Sequence, residues 1–116
     1  MHFKLIIALT EDSITEKVVE AARNKGATGS TVISSARGEG MQVAKTFLGL
    51  SLETQRDVVL LLVEEHMCRE ILENIEATGE FEAHPGSGIA FCIDVDDAVG
   101  VSQQINQLSE IVEEEI

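Results

Sequence analysis

The chain contains no tryptophan and no tyrosine, and its only aromatic residues are four phenylalanines among 116 residues. A surface that stacks single-stranded bases needs aromatic rings in number, so that mode of nucleic-acid binding is excluded. Positive charge is scarce as well: 8 Lys and Arg stand against 21 Asp and Glu, a formal net charge of -13. Such a chain repels phosphate backbones and anionic lipid at long range. Cysteine is confined to Cys68 and Cys92, and the opening Met-His-Phe-Lys-Leu-Ile-Ile lacks the features of a secretory signal. A reducing cytoplasm is the expected location. The longest unbroken apolar run, residues 58–63, has six residues, against the ~20 that a membrane-spanning helix needs. This length predicts one domain with one modest core.

The residues present alternate strand and helix signals. Residues 3–9 are apolar except Lys4 and predict a buried strand, ended by the polar break 10–13. Ser13 and Glu16 have capping-box spacing, Ile14, Val18, Ala21 and Ala22 follow on a helical period, and Gly26 supplies a helix stop. The β-branched stretch within 30–36 predicts a second strand. The plan then repeats: a strand over 57–63, acidic residues Glu64 and Glu65 at a helix start, an apolar stripe of Met67, Ile71, Leu72 and Ile75 ending near Gly79, and a strand over 88–95. Two β-α-β units joined by the loop 37–56 predict an α+β, ferredoxin-like βαββαβ fold. Its four-stranded antiparallel sheet carries both helices on one face. The ferredoxin-like domain is expected over residues 1–101, with 102–116 a C-terminal helix or acidic tail.

Two helices cover one sheet face, yet residues 5–7 and 58–63 are apolar at consecutive positions, so both faces call for burial. Self-association answers this economically. A C-terminal helix presenting Ile105, Leu108, Ile111 and Val112 on one side is the alternative cover.

Catalysis has little support. No Cys-His or Ser-His pair has a recognisable spacing, and residues 10–13 lack the arginine of an acylphosphatase loop. His66 and Cys68, two apart on a helix, point in different directions and make no metal pair. The run Glu113-Glu114-Glu115 reads as a solvated tail. Neither an enzyme nor a bound metal is expected.

The order of several segments resembles PII signalling proteins. Residues 26–32, Gly-Ala-Thr-Gly-Ser-Thr-Val, followed by Ala36-Arg37-Gly38-Glu39-Gly40, look like the family's second strand and the base of its T-loop. Thr78-Gly79 and Gly86-Ser87-Gly88-Ile89-Ala90-Phe91 are similar to its B-loop and fourth strand. The likeness spans about residues 4–101 and implies a homotrimer that binds an adenine nucleotide between subunits. It further implies signal transduction in nitrogen regulation, with the protein acting as a regulator of an enzyme or transporter. Carried over by position, Ile7 and Thr31 line the base pocket, and Arg37, Gly38 and Gly40 lie at the T-loop hinge. Gly86, Ser87 and Gly88 wrap the phosphates, a task that suits glycine-rich backbone. Met41, Lys45, Phe47, Leu48 and Leu50 form a partner-binding loop, apolar groups framed by charge.

Departures narrow the expected ligand. Ile89 stands where the family has a phosphate-binding lysine, and Gly100 and Val101 stand where it has arginines. Each lost charged contact removes roughly 1.5–3 kcal/mol, so AMP or ADP is expected in preference to ATP. Residues 82–85, Glu-Ala-His-Pro, are an insertion, and the short T-loop has no tyrosine for uridylylation. The alternative expectation is a CutA-like trimer that binds divalent metal or serves a structural purpose.

Overall fold

Two long strands dominate because their residues are β-branched or apolar at nearly every position. In the computed structural model, which describes residues 1–36, 46–47, 50–51 and 56–115, these are β1 (Phe3–Glu11) and β5 (Arg56–Glu64). They pair antiparallel without a break from Phe3↔Glu64 to Glu11↔Arg56. β6 (Gly88–Val95) joins the other edge of β1, and β2 (Thr31–Ala36) joins β5, giving the order β2-β5-β1-β6. Helices α1 (Thr15–Asn24) and α2 (Cys68–Gly79) complete the expected ferredoxin-like arrangement. A third helix, α3, runs over Ser102–Glu115. Two further strands of two residues, β3 (Thr46–Phe47) and β4 (Leu50–Ser51), form a small hairpin in place of the single long loop expected from the sequence.

Strand alternation sorts the side chains into two layers. Ile6, Ala8, Val59, Leu61 and Val63 point to the helices and form the core with Val18, Ala22, Ile71 and Ile75. Leu5, Ile7, Leu9, Val58, Leu60, Leu62, Ile89 and Phe91 occupy the opposite face and are half-buried. Ile33 and Ile93, also on that face, are 51% and 48% exposed. Val101, just before α3, and Ile105, within it, pack at the corner near Phe3, so the helix shields only the far end among the described side chains. Those of Leu108, Ile111 and Val112 lie outside the described set.

One local expectation resolves differently. Ser13 does not cap α1: a 3-10 turn over Asp12–Ile14 precedes the helix, which has no side-chain cap. Thr15, the first residue of the helix, anchors this end by side-chain bonds to the sheet. Its hydroxyl lies 2.7 Å from the buried Asp57 carboxylate and 3.0 Å from the Thr10 hydroxyl. A hydroxyl has one proton, so Thr15 donates to Asp57 and Thr10 donates to Thr15. At the end of α2 the left-handed residue is Glu80 (φ 53°), and Gly79 is still helical.

Gly79 answers to packing: a Cβ there would lie 2.3 Å from the ring of Phe81, and one on Gly88 would also lie 2.3 Å away. The ring is buried between the two glycines. Gly79→Ala is therefore expected to cost about 1–3 kcal/mol through overpacking. On a Phe81→Ala background the same change becomes neutral or slightly favourable, a reversal that urea denaturation of the four proteins in this cycle would measure.

Candidate functional site

The register of the sheet places Thr31 opposite Leu60, Leu60 opposite Ile7, and Ile7 opposite Phe91. These four side chains form one row across the uncovered face. Ile7 and Thr31, expected to line a base pocket, thus share a face and a row, with Leu60 between them. Three residues further along β1, roughly 10 Å, Thr10 pairs with Gly88, the last residue of the candidate phosphate turn.

That turn is held in shape from several sides. Gly86 takes a positive φ of 86°, a backbone that favours glycine. The Ser87 amide donates to the His84 carbonyl at 3.0 Å, and the His84 amide donates to Glu80 at 3.0 Å. Arg56, the first residue of β5, donates from Nη2 to the Gly86 carbonyl at 2.8 Å and from Nη1 to the Ser87 carbonyl. The Arg56 side chain is only 4% exposed, and its Nη1 lies 3.8 Å from the Glu11 carboxylate. Ser87 contributes an orphan: its hydroxyl oxygen is buried and has no hydrogen-bond partner among the described residues. Such a group costs about 1–3 kcal/mol until something completes it.

Several expected residues fall elsewhere. Arg37, Gly38, Gly40, Met41, Lys45 and Leu48 lie outside the described residues. Phe47 and Leu50 face each other as a rung of the small hairpin. Gly88 has a packing reason for lacking a side chain, the Phe81 ring, whatever it does for a ligand. Glu11, Arg56 and Phe81 were not among the expected site residues. A signal for Arg56 lay in the strand alternation, since a cation in phase with Val58, Leu60 and Leu62 must find partners once the strand is buried. Phe81, flanked by Gly79 and followed by the glycines of the turn, carried a weaker one.

On the helix side, an open cleft of about 540 Å³ is lined by Asp12, Thr15, Glu16, Glu20, Arg23 and Asp57, among others. Four carboxylates against one guanidinium suit no anion. At the far end of β5, donor atoms of Glu64, Glu65 and His66 lie within 4.8 Å of one another. The buried Glu64 carboxylate accepts from the His66 backbone amide at 2.8 Å and bonds its ring Nδ1, which accounts for the cluster as a cap on the following turn. His66 and Cys68 diverge as expected: the imidazole is exposed, whereas Cys68 is buried. Burial, followed by a bond to Cys92, pushes the Cys68 thiol up to about 12.

The family model of nitrogen regulatory protein P-II matches residues 3–104. Among solved structures, one described as a PII-like signalling protein from Thermus thermophilus is 26% identical, with a TM-score of 0.60, covering 82% of this chain and 87% of that one. The apo form of CPII from Thiomonas intermedia, a nitrogen regulatory PII-like protein, is 20% identical with a TM-score of 0.63, covering 82% and 90%. CPII bound to ADP, AMP and acetate is 21% identical with a TM-score of 0.59, covering 83% and 90%. No curated protein matches the chain. These likenesses favour the PII reading over the CutA-like one.

The Glu64 carboxylate, by hydrogen bond first and by charge second, holds the His66 imidazole above its usual pKa of 6.5. A raised folded-state pKa stabilises below the unfolded value and loses that stabilisation as pH rises through the folded value. His66→Gln is therefore expected to destabilise more at pH 5.5 than at pH 8.5. Equal losses of stability at the two pH values, read from urea midpoints, would contradict the pairing.

Proposed function

Since the chain belongs to the nitrogen regulatory protein P-II family, we propose that it is a cytoplasmic regulator and not an enzyme. In this reading it is a homotrimer that senses an adenine nucleotide in clefts between subunits. The ligand state is passed to a regulated protein through the segment 37–55, and a membrane transporter is one class of target. The observation that carries this reading is the cross-strand row Thr31-Leu60-Ile7-Phe91 on the exposed sheet face, three residues along β6 from a braced turn whose Ser87 hydroxyl is buried and has no partner among the described residues. An apolar row suits the flat face of a base, and an unsatisfied hydroxyl beside glycine backbone suits a phosphate oxygen.

Self-association follows from the same face. Apolar area left in water forfeits about 25 cal/mol per Å², and α3 reaches only one corner of the sheet among the described side chains. Other copies of the chain are the covering that also turns an open face into a cleft. The relative crystallised with ADP and AMP supports the ligand class. The residues of this chain favour few phosphates, because the segment 80–88 contains no Lys or Arg.

Two measurements test the reading. Light scattering is expected to give a trimer, and Ile93→Asp, which places a charge on the uncovered face, is expected to give monomers while near-native secondary structure remains by circular dichroism. A wild-type chain that stays monomeric at high concentration removes the intersubunit cleft. Calorimetric titration is expected to show AMP or ADP binding at least as tightly as ATP, and tighter ATP binding would contradict the ligand assignment.

A further inference from the structure

Cys68 and Cys92 are the chain's only cysteines, and the fold brings them together. Cys92 stands opposite Ile6 in the pairing of β1 with β6, so its side chain points with that of Ile6 to the helix face of the sheet. Cys68, the first residue of α2, is buried in the core over that face, and the half-buried Cys92 packs against the same core. The two thiols are within hydrogen-bonding reach of each other, and both are free. Lys4, two residues before Ile6 on β1, shares the face. Its ammonium lies 3.4 Å from the Asp94 carboxylate, and after Asp94 the sulfurs of Cys92 and Cys68 also favour its charge. Between the cysteines run α2, the loop that holds Phe81 and the turn 86–88, so a bond from residue 68 to residue 92 would close that whole stretch into one covalent ring. The pair faces the helices, and copies of the chain meeting on the opposite, apolar face would leave it uncovered.

We propose that Cys68 and Cys92 are a redox couple, oxidised by a low-molecular-weight disulfide such as oxidised glutathione to an intramolecular disulfide that ties the start of α2 to β6. Exposure sets the order of attack. Cys92 gives its proton to solvent, and its thiolate attacks one sulfur of the reagent. The reagent's S–S bond breaks, a mixed disulfide forms on Cys92, and one small thiolate leaves. Cys68 then gives up its proton and attacks the Cys92 sulfur, which expels the second small thiolate. Each leaving thiolate takes up a proton, so the protein loses two electrons and two protons and the reagent gains them. Burial, followed by the bond to Cys92, pushes the Cys68 thiol up, while Lys4 favours its thiolate. Ring closure is therefore the slow step. A reducing compartment keeps the pair as thiols, and the bond marks a shift toward oxidising conditions. This chemistry requires no nucleotide, and its failure would leave the nucleotide reading intact.

The test uses the full-length, assembled protein. It is incubated with oxidised glutathione under native conditions, its remaining thiols are alkylated in urea, and it is digested without reduction for mass spectrometry. The expected product is a peptide pair linking residues 68 and 92 within one chain, with neither cysteine alkylated and both thiols restored by dithiothreitol. Cys68→Ser is expected to stop at a glutathione adduct on Cys92, because no second thiol is present to displace it. If Cys68→Ser does not fold, the map of the wild-type protein decides alone. Four results would overturn the couple: two alkylated cysteines after prolonged incubation, a glutathione adduct that persists on wild-type Cys92, a disulfide between two chains, or a link that forms only in the urea-unfolded protein.

Discussion

The antiparallel pairing of β1 with β5 is the constraint on which the rest of the structure depends. Both strands are apolar on both faces at their centres and polar at their ends, so one register buries the middle and gathers polar side chains at each edge. Shifting either strand by one residue would turn every side chain to the opposite face, exchanging Ile6 and Leu61 in the core for Leu5 and Leu60 outside. The helices select one face because Val18, Ala22, Ile71 and Ile75 complement it. The other face is apolar and, among the described residues, largely uncovered.

Loop 80–88 is held in shape by packing and backbone bonds together. Glu80 accepts a left-handed conformation that side chains rarely adopt, and the backbone then turns so that Phe81 folds back between Gly79 and Gly88. The strain at Glu80 is offset by the burial of an aromatic ring. Further backbone bonds at His84 and Ser87 close the turn. Glycine thus serves two ends within ten residues: Gly86 permits a positive φ, while Gly79 and Gly88 make room for a ring.

The sequence carried the fold well because its information is periodic. Apolar runs, the Gly26 stop and the two-fold β-α-β repeat each depend on neighbours along the chain, so the strands at 3–11, 56–64 and 88–95 were legible to within two residues at either end. That Ile7 and Thr31 share a face follows from the register of both strands against Leu60, which alternation within either strand does not reveal. The anchoring of the α1 start was not legible, because Thr15 meets its partner Asp57, 42 positions away, only once the chain is folded. The bracing of the turn was hidden for the same reason: Arg56 and Gly86 are 30 positions apart, and nothing local marks them as partners. Gly88 was read as a phosphate-wrapping residue, and its contact with Phe81 is a non-local packing fact that spacing alone does not reveal.

Consecutive residues at the start of β5 show how these long-range links are organised. Arg56 and Asp57 leave the strand on opposite faces, and both are buried. Arg56 ties the uncovered face to the 86–88 turn, while Asp57 ties the helix face to Thr15 at the start of α1. Buried charges are tolerated only when hydrogen-bonded, so moving either loop away would cost its partner a hydrogen bond. The two residues follow directly on the segment 37–55, which makes the root of that segment the place where both loops are fixed. A displacement of β5 at this point would therefore alter the turn and the helix start together. In the proposed reading, coupling between a nucleotide at the turn and the segment 37–55 requires no more than this shared anchorage, provided that the two arrangements of the root differ in how well they hold the ligand.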